Sequence, residues 1–239
     1  MMVSPAAARA LADIASRASD VMRSFYPGAV PLHHDSAAAG PTQFTNDPLT
    51  VAAPKNAYFI TCGEGDRHMY TRDGQFHVHG ATLVDRDNQP LMGFKKDGAS
   101  LQPLSMDSVD VALHRVMDIR IEADGSITYA RALVDPRTGS KHNARVALGR
   151  LALARFPAGS ELRPYDATRG LAPPGVAPHI GRPGDGNFEY VVLHAREGSR
   201  LNFGDAVERL REAYLAFDAL RSAQTMQGKL EKTTMDLVK

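Results

Sequence analysis

This 239-residue sequence has little cysteine, no large excess of positive or negative charge, and no long apolar run. It has one cysteine, Cys62, and a formal net charge of +1. A lone cysteine excludes an intrachain disulfide and a zinc site built from cysteines. The balanced charge argues against an electrostatic surface for nucleic acid, and no segment approaches the roughly 20 apolar residues of a membrane-spanning helix. We therefore expect no nucleic-acid partner and no membrane span.

The N-terminal segment lacks the pattern of a Sec signal peptide. Such a signal contains an unbroken apolar stretch of about 7–15 residues. Here Arg9, Asp13 and Arg17 interrupt the alanine-rich segment. We therefore expect no Sec signal.

A run of short β-strands and turns occupies the centre of the sequence, from residue 57 to residue 94. Aromatic and β-branched residues predict strands at 58–60, 69–71, 76–78 and 82–84, and Asp73-Gly74 is typical of a tight turn between strands. Further along, residues 118–128 alternate apolar and polar side chains around Asp124-Gly125, which predicts a hairpin. Residues 146–156 predict a buried strand and residues 188–194 a closing strand. The middle of the chain is therefore predicted to be a β-domain that begins with a β-meander.

Both ends of the sequence predict α-helices. Ser4-Pro5 is typical of a helix start, so we expect one helix over residues 5–24 and another of about 35 residues from Asn202. Apolar side chains recur every three or four residues at Leu11, Ile14, Ala18 and Val21 in the first helix, and at Phe203, Val207, Leu210, Tyr214, Phe217, Leu220, Met226 and Leu230 in the second.

Apolar stripes on helices of this length indicate coiled-coil or bundle packing. We predict a mainly β fold with terminal α-helices, in which residues 1–28 and 200–239 form a helical coiled-coil domain. Residues 29–54 are the predicted connector, and residues 55–199 the central β-domain. The stripes either pack against each other within the chain or contact neighbouring subunits, and in a filament both arrangements hold at once.

Several segments of the sequence resemble one protein family. Residues 70–76 read YTRDGQF; they are preceded by NAYFI at 56–60 and followed by Leu83-Val84 and by PLMG at 90–93. In this order and spacing they resemble the signature of the bacterial flagellar rod and hook proteins, in which a GxGFF.V strand leads into YTRxGxF, G.LV and G.P.LG. Residues 118–128 and 210–219 are similar to further family segments. The resemblance covers roughly residues 40–239, and before it only Pro27-Gly28 matches clearly.

The resemblance implies a structural, non-enzymatic subunit of the flagellar basal-body rod, of the distal or adjacent rod type, with no cofactor and no bound metal. In that family the terminal helices pair into an inner coiled-coil domain that lines a hollow axial tube, and the β-domain forms the outer wall. The implied partners are further copies of the chain, other rod and hook subunits and the flagellar export apparatus. The implied location is the periplasmic rod, reached without a Sec signal.

Three other readings compete with this one. His77 and His79 lie two apart on a predicted strand and could offer two nitrogens to a metal, but no third ligand is evident, which favours a polar strand face. Cys62 could be a nucleophile, but no flanking motif prepares the thiol, which favours a small residue at the end of a strand. The remaining alternative has no catalytic or metal-binding role: it is a secreted β-rich binding module that dimerises through its helices.

Overall fold

The computed structural model describes residues 5–25, 40–95, 98, 100–113, 116–134, 141–160, 162–199 and 203–237. They form a mainly β fold with one long helix at each end. Most of the predicted connector, residues 29–39, and the predicted helix start at Asn202 lie outside the described residues.

The helices are α1 Pro5–Arg23, α2 Ser108–Ala112 and α3 Phe203–Leu237. Proline suits the first turn of α1, because the backbone donor that it lacks has no partner within a helix at that position. The short α2 is capped by Asp107, whose side chain accepts a hydrogen bond from the amide of Val109 at 2.8 Å. The two terminal helices lie where the sequence predicts them.

The strands of the described residues are β1 Thr42–Phe44, β2 Val51–Ala52, β3 Tyr58–Cys62, β4 His68–Thr71, β5 His77–His79, β6 Thr82–Val84, β7 Met92–Phe94, β8 Leu101–Pro103, β9 Val116–Ile121, β10 Ser126–Val134, β11 Lys141–Leu151, β12 Leu153–Arg155, β13 Arg163–Pro164, β14 Arg169–Leu171, β15 His179–Gly181, β16 Val192–Leu193 and β17 Ala195–Glu197.

Two open sheets make up most of the β-domain. The larger has the strand order β13-β14-β4-β3-β12-β15 and the smaller the order β8-β7-β11-β10-β9. Since β11 and β12 are consecutive, the chain passes directly from the smaller sheet into the larger. Leu151, Ala152 and Leu153 are fully buried at this passage. Three two-stranded sheets complete the domain: β1 with β17, β2 with β16, and β5 with β6.

The main core combines side chains from both sheets. Its largest fully buried side chains include Phe59, Leu83, Leu104 and Ile127. The rings of Phe59 and Phe76 pack edge to face, with 5.1 Å between their centroids. Burial of each such side chain contributes about 1.5–3 kcal/mol. The central β-domain predicted from the sequence is therefore confirmed.

The predicted pairings are only partly correct. The hairpin at 118–128 is confirmed: β9 and β10 pair antiparallel, and Gly125 adopts a φ of +76° in the turn between them. β3 pairs with β4, and β5 pairs with β6. However, the other side of β4 is occupied by β14, which comes from the loop-rich region, and not by β5. The continuous meander is therefore wrong.

The predicted coiled-coil domain is also wrong. A coiled coil buries large apolar side chains in a continuous line between its helices. In the described parts of α1 and α3 the buried side chains are small or charged: Ala7, Asp20, Arg23, Ala206 and Ala213.

The large side chains of the predicted stripe do not all lie on the inward face of α3. Leu210 and Phe217 are partly buried there, and Ala206 and Ala213, at helical spacing from them, are the buried positions. Tyr214 follows Ala213 and is exposed. The inward face is therefore packed closely through small side chains and not through a continuous line of large ones.

Candidate functional site

The two terminal helices lie side by side. A guanidinium nitrogen of Arg17 in α1, Nη1, donates a hydrogen bond to the carbonyl oxygen of Arg209 in α3 at 3.2 Å. Just beyond the C-terminal end of α1, the rings of Phe25 and Phe203 have centroids 5.2 Å apart. The two ends of the chain therefore form one surface, which we call the terminal-helix pair.

The predicted interface residues fall into two groups within this pair. Five are exposed, namely Leu11, Phe203, Val207, Tyr214 and Met226, and six are partly buried, namely Ile14, Ala18, Val21, Leu210, Phe217 and Leu220. The side chain of Leu230 lies outside the described residues. The partly buried group is the one placed for contact within the chain, and the exposed group is the one available to other molecules.

Large apolar side chains therefore face solvent on both helices. In α3 the exposed fraction is 63% for Tyr214, 61% for Leu215 and 68% for Met226. In α1, Leu11 and Met22 are also exposed, and because 11 residues complete about three turns they lie on the same face. Leu215 and Met226 have the same spacing. Leu215 and Met22 were not predicted as interface residues, because neither lies on the predicted apolar stripes.

A two-stranded ribbon, β1 with β17, connects the terminal-helix pair to the β-domain. Its strands pair antiparallel, with Thr42 opposite Glu197 and Phe44 opposite Ala195. β17 leads into α3, and β1 follows the connector from α1. The ribbon therefore brings together the chain segments that reach the two terminal helices.

A buried ion pair fixes the ribbon to the centre of the β-domain. The guanidinium of Arg72 pairs with the carboxylate of Glu197, and their side chains are only 3% and 4% exposed. Arg72 also donates to the carbonyl oxygens of Ala57 at 2.6 Å and Pro54 at 3.2 Å. Glu197 accepts a further hydrogen bond from the amide of Gly40 at 2.9 Å. Removal of one partner of such a pair typically costs about 3–5 kcal/mol, because the other charge stays buried alone.

The residue after Arg72 has an unusual environment. The Asp73 carboxylate accepts a hydrogen bond from the amide of Gln75 through Oδ1 at 3.1 Å, whereas Oδ2 is buried and has no partner among the described residues. Burial raises the pKa of Asp73 to about 6, although the Gln75 amide and the Arg86 guanidinium act in the opposite direction. The Asp73 carboxylate thus combines a hydrogen bond typical of a turn aspartate with a second oxygen that is buried and has no partner among the described residues.

A second buried cation lies close to this region. Arg169 pairs with the carboxylates of Asp85 at 3.2 Å, Asp87 at 3.0 Å and Asp166 at 2.5 Å. Burial raises the pKa of Asp85, and the amide of Gln89 and the Arg169 guanidinium offset part of that effect. The pairings link β14 of the larger sheet to the turn that follows β6.

The residues considered for chemistry are not brought together. His77 and His79 are exposed on β5, and His77 Nε2 lies 3.0 Å from Asn88 Oδ1. No group of three or more potential metal ligands occurs within the described residues. Burial, together with the Asp66 carboxylate, raises the pKa of the Cys62 thiol, which is the reverse of what a nucleophilic cysteine requires.

Comparisons with known proteins do not supply a family. No protein-family model matches the chain, and no curated protein is significantly similar to it in sequence. Among the helices of the described residues, none combines the length and the apolar character needed to cross a bilayer. The candidate site rests on the geometry of the terminal-helix pair and on the ion pair that connects it to the β-domain.

Proposed function

We propose that the chain is a structural subunit of the bacterial flagellar basal-body rod, which polymerises through the exposed faces of its terminal helices into a hollow axial shaft. The observation that carries the proposal is the terminal-helix pair, with Leu11, Met22, Tyr214, Leu215 and Met226 exposed on its surface. Exposed apolar side chains of this size on adjacent helices are typical of association surfaces. The resemblance of residues 70–76, YTRDGQF, to the flagellar rod and hook proteins is the reason for proposing a flagellar rod and not another assembly.

The partners under this proposal are further copies of the chain, other rod and hook subunits and the flagellar export apparatus, and the location is the periplasmic rod. The coiled-coil contact expected in this family has no part in it. Subunits instead contact each other through large side chains on the outer helix faces, while alanines bring α3 against the protein. The buried Arg72–Glu197 pair supports a structural role, since it ties the ribbon of β1 and β17 to the centre of the β-domain at a fixed point.

Association can be tested on the purified full-length chain by sedimentation velocity over a range of concentrations. We expect the native chain to associate and a Tyr214→Ser, Leu215→Ser variant to remain monomeric. Full burial of one such side chain contributes about 1.5–3 kcal/mol, so two substitutions should weaken association by roughly 100-fold or more.

A matched control carries Tyr165→Ser and Tyr190→Ser, which replace two exposed tyrosines of the β-domain. It should associate like the native chain. If all three proteins are monomeric at every concentration, the helix faces are not an assembly surface. If the control associates as weakly as the helix variant, association does not depend on the helix faces in particular, which would contradict the proposal.

The flagellar assignment needs a test in cells. Deletion of the gene should abolish motility, and the native chain should restore it while the Tyr214→Ser, Leu215→Ser variant does not. A motile deletion strain would refute the rod proposal. If the purified chain also forms a discrete dimer, the result would favour the secreted binding module.

A further inference from the structure

A cavity of about 290 Å³ lies in the smaller sheet of the β-domain, far in sequence from the terminal helices. It is formed where β7, β10 and β11 meet, and its lining includes Phe94, Lys95, Thr128, Arg150 and Arg182. The volume is close to the lower end of the range for small-molecule sites, about 300 Å³. The cavity could therefore hold a small ligand but not a polymer segment of several residues.

A β-bulge accounts for its position. The register of β10 against β11 shifts between Ile127 and Thr128, so Leu148 has no partner across the ladder. A bulge bends its strand and locally opens the pairing. The neighbouring Gly149 allows β7 to approach, because a Cβ atom there would lie 2.5 Å from the carbonyl oxygen of Phe94.

Positive charge dominates the lining. Lys95, Arg150 and Arg182 all line the cavity, and no carboxylate does so among the described residues. Two carboxylates lie close to these cations: Asp124 Oδ2 is 2.5 Å from Nη2 of Arg150, and Asp185 Oδ2 accepts a hydrogen bond from the backbone amide of Arg182 at 2.8 Å. Two carboxylates against three cations leave an excess of positive charge at the cavity.

Neutral groups hold Arg182 in place. Its Nη2 donates to the carbonyl oxygen of Gly98 at 3.3 Å, and its guanidinium carbon lies 4.6 Å from the centroid of the Phe94 ring. The Nε atoms of Arg150 and Arg182 are both buried and have no hydrogen-bond partner among the described residues. Because these Nε atoms have no accessible surface, a ligand in the cavity would be held by the terminal nitrogens of the two guanidiniums, for which an oxyanion is the natural acceptor.

We propose that this cavity binds a small oxyanion, a phosphate or a carboxylate group, through Arg150, Arg182 and Lys95. Arg182 supplies a preorganised guanidinium, Arg150 a second one shared with Asp124, and Lys95 an exposed ammonium group. The proposal concerns the β-domain alone and does not depend on assembly of the helices.

Binding can be measured on the full-length chain by isothermal titration calorimetry with inorganic phosphate and, separately, with succinate at constant ionic strength. We expect saturable binding of at least one of them. Stronger binding of phosphate would identify a phosphate-type ligand, and stronger binding of succinate a carboxylate-type ligand. No saturable binding of either would overturn the proposal.

Variants locate the site. Arg182→Gln should weaken binding by about 10-fold or more, because it removes a charge-assisted hydrogen bond. Lys95→Gln replaces an exposed side chain without disturbing the fold and should weaken binding less. Arg120→Gln, at an exposed arginine of the same sheet outside the cavity, is the matched control and should bind like the native chain. Equal affinity in all four proteins would overturn the proposal.

Discussion

Replacement of Asp73 by asparagine should make the protein less sensitive to pH. The Asp73 carboxylate is 4% exposed, and burial raises its pKa to about 6 from an ordinary value of 3.8. The difference of about two pKa units corresponds to about 3 kcal/mol between the charged and neutral forms. The folded protein therefore favours the protonated carboxyl.

The direction of the effect follows from proton linkage. Below about pH 4 the carboxyl is protonated in both the folded and the unfolded chain, so the group does not affect the free energy of unfolding. As pH rises towards about 6, the unfolded chain releases this proton and the folded chain keeps it, which lowers stability. Above about pH 6 both forms are ionised, and the full loss of about 3 kcal/mol applies.

Asparagine retains the local hydrogen bond of the turn. Its side-chain oxygen can accept from the Gln75 amide as Asp73 Oδ1 does at 3.1 Å, and it carries no charge at any pH. The stability of Asp73→Asn relative to the native chain should therefore increase by about 2–3 kcal/mol from about pH 4 to about pH 8. Urea unfolding of dilute protein across this range measures it. Any constant difference caused by the amide itself cancels in the comparison.

Other charges that face Asp73 do not change this expectation in sign. The guanidiniums of Arg86 and Arg196 lower the pKa of Asp73, and the carboxylate of Asp85 raises it. Asp85 also has a raised pKa, so the native chain carries a second pH dependence of the same sign. The variant retains that second dependence, and comparison of the two proteins isolates Asp73.

Asp185→Asn is the matched control, because its stability relative to the native chain should change with pH in the opposite direction. Burial acts to raise the pKa of Asp185, but the amides of Arg182, Asn187 and Phe188 outweigh it, and the net pKa is lowered. This variant should lose stability relative to the native chain as pH rises. If the relative stability of Asp73→Asn does not change with pH, or falls as pH rises, the assigned environment of Asp73 is incorrect.

Two further predictions concern Glu197 and Cys62. Glu197→Gln should lower the free energy of unfolding by about 3–5 kcal/mol, because it leaves the Arg72 guanidinium buried without its counter-ion. The double variant Arg72→Met, Glu197→Leu should lose less stability. Urea unfolding of both proteins tests this, and a double variant less stable than Glu197→Gln would contradict it. Cys62 should react with iodoacetamide more slowly than free cysteine at neutral pH, because its raised pKa reduces the thiolate fraction; a faster reaction would contradict the assigned environment of the thiol.

Local patterns in the sequence predicted the elements of this fold better than their partners. The hairpin around Asp124-Gly125 follows from alternation and a turn pair that lie within a few residues of each other. The boundaries of α1 and α3 follow from Pro5 and from apolar periodicity. The neighbour of β4 could not be predicted in the same way, since β14 begins about a hundred residues later and its sequence, Arg-Gly-Leu, has no distinctive strand pattern.

The features that define the candidate site are non-local for the same reason. Arg72 and Glu197 are 125 residues apart, and neither has a flanking motif that names the other. Arg72 lies in a segment predicted to be a turn, and arginine is rarely buried without a partner, so neither its burial nor its counter-ion followed from the sequence. The cavity could not be predicted from the sequence, because it depends on a bulge at Leu148 and on the approach of β7, which only the sheet topology establishes.

The position of the Arg72–Glu197 pair bears on what the β-domain can do for the helices. Apolar contacts tolerate small rotations, whereas a guanidinium that also donates to Ala57 and Pro54 satisfies all of these acceptors in only one orientation. The pair therefore fixes the orientation of the ribbon of β1 and β17, and β17 is the last strand before α3. A subunit that stacks through exposed helix faces requires its parts to be held in the same way in every copy, because a variable arrangement would prevent regular contacts between successive subunits. The buried ion pair and the exposed side chains of the terminal-helix pair thus meet two separate requirements of one proposed assembly.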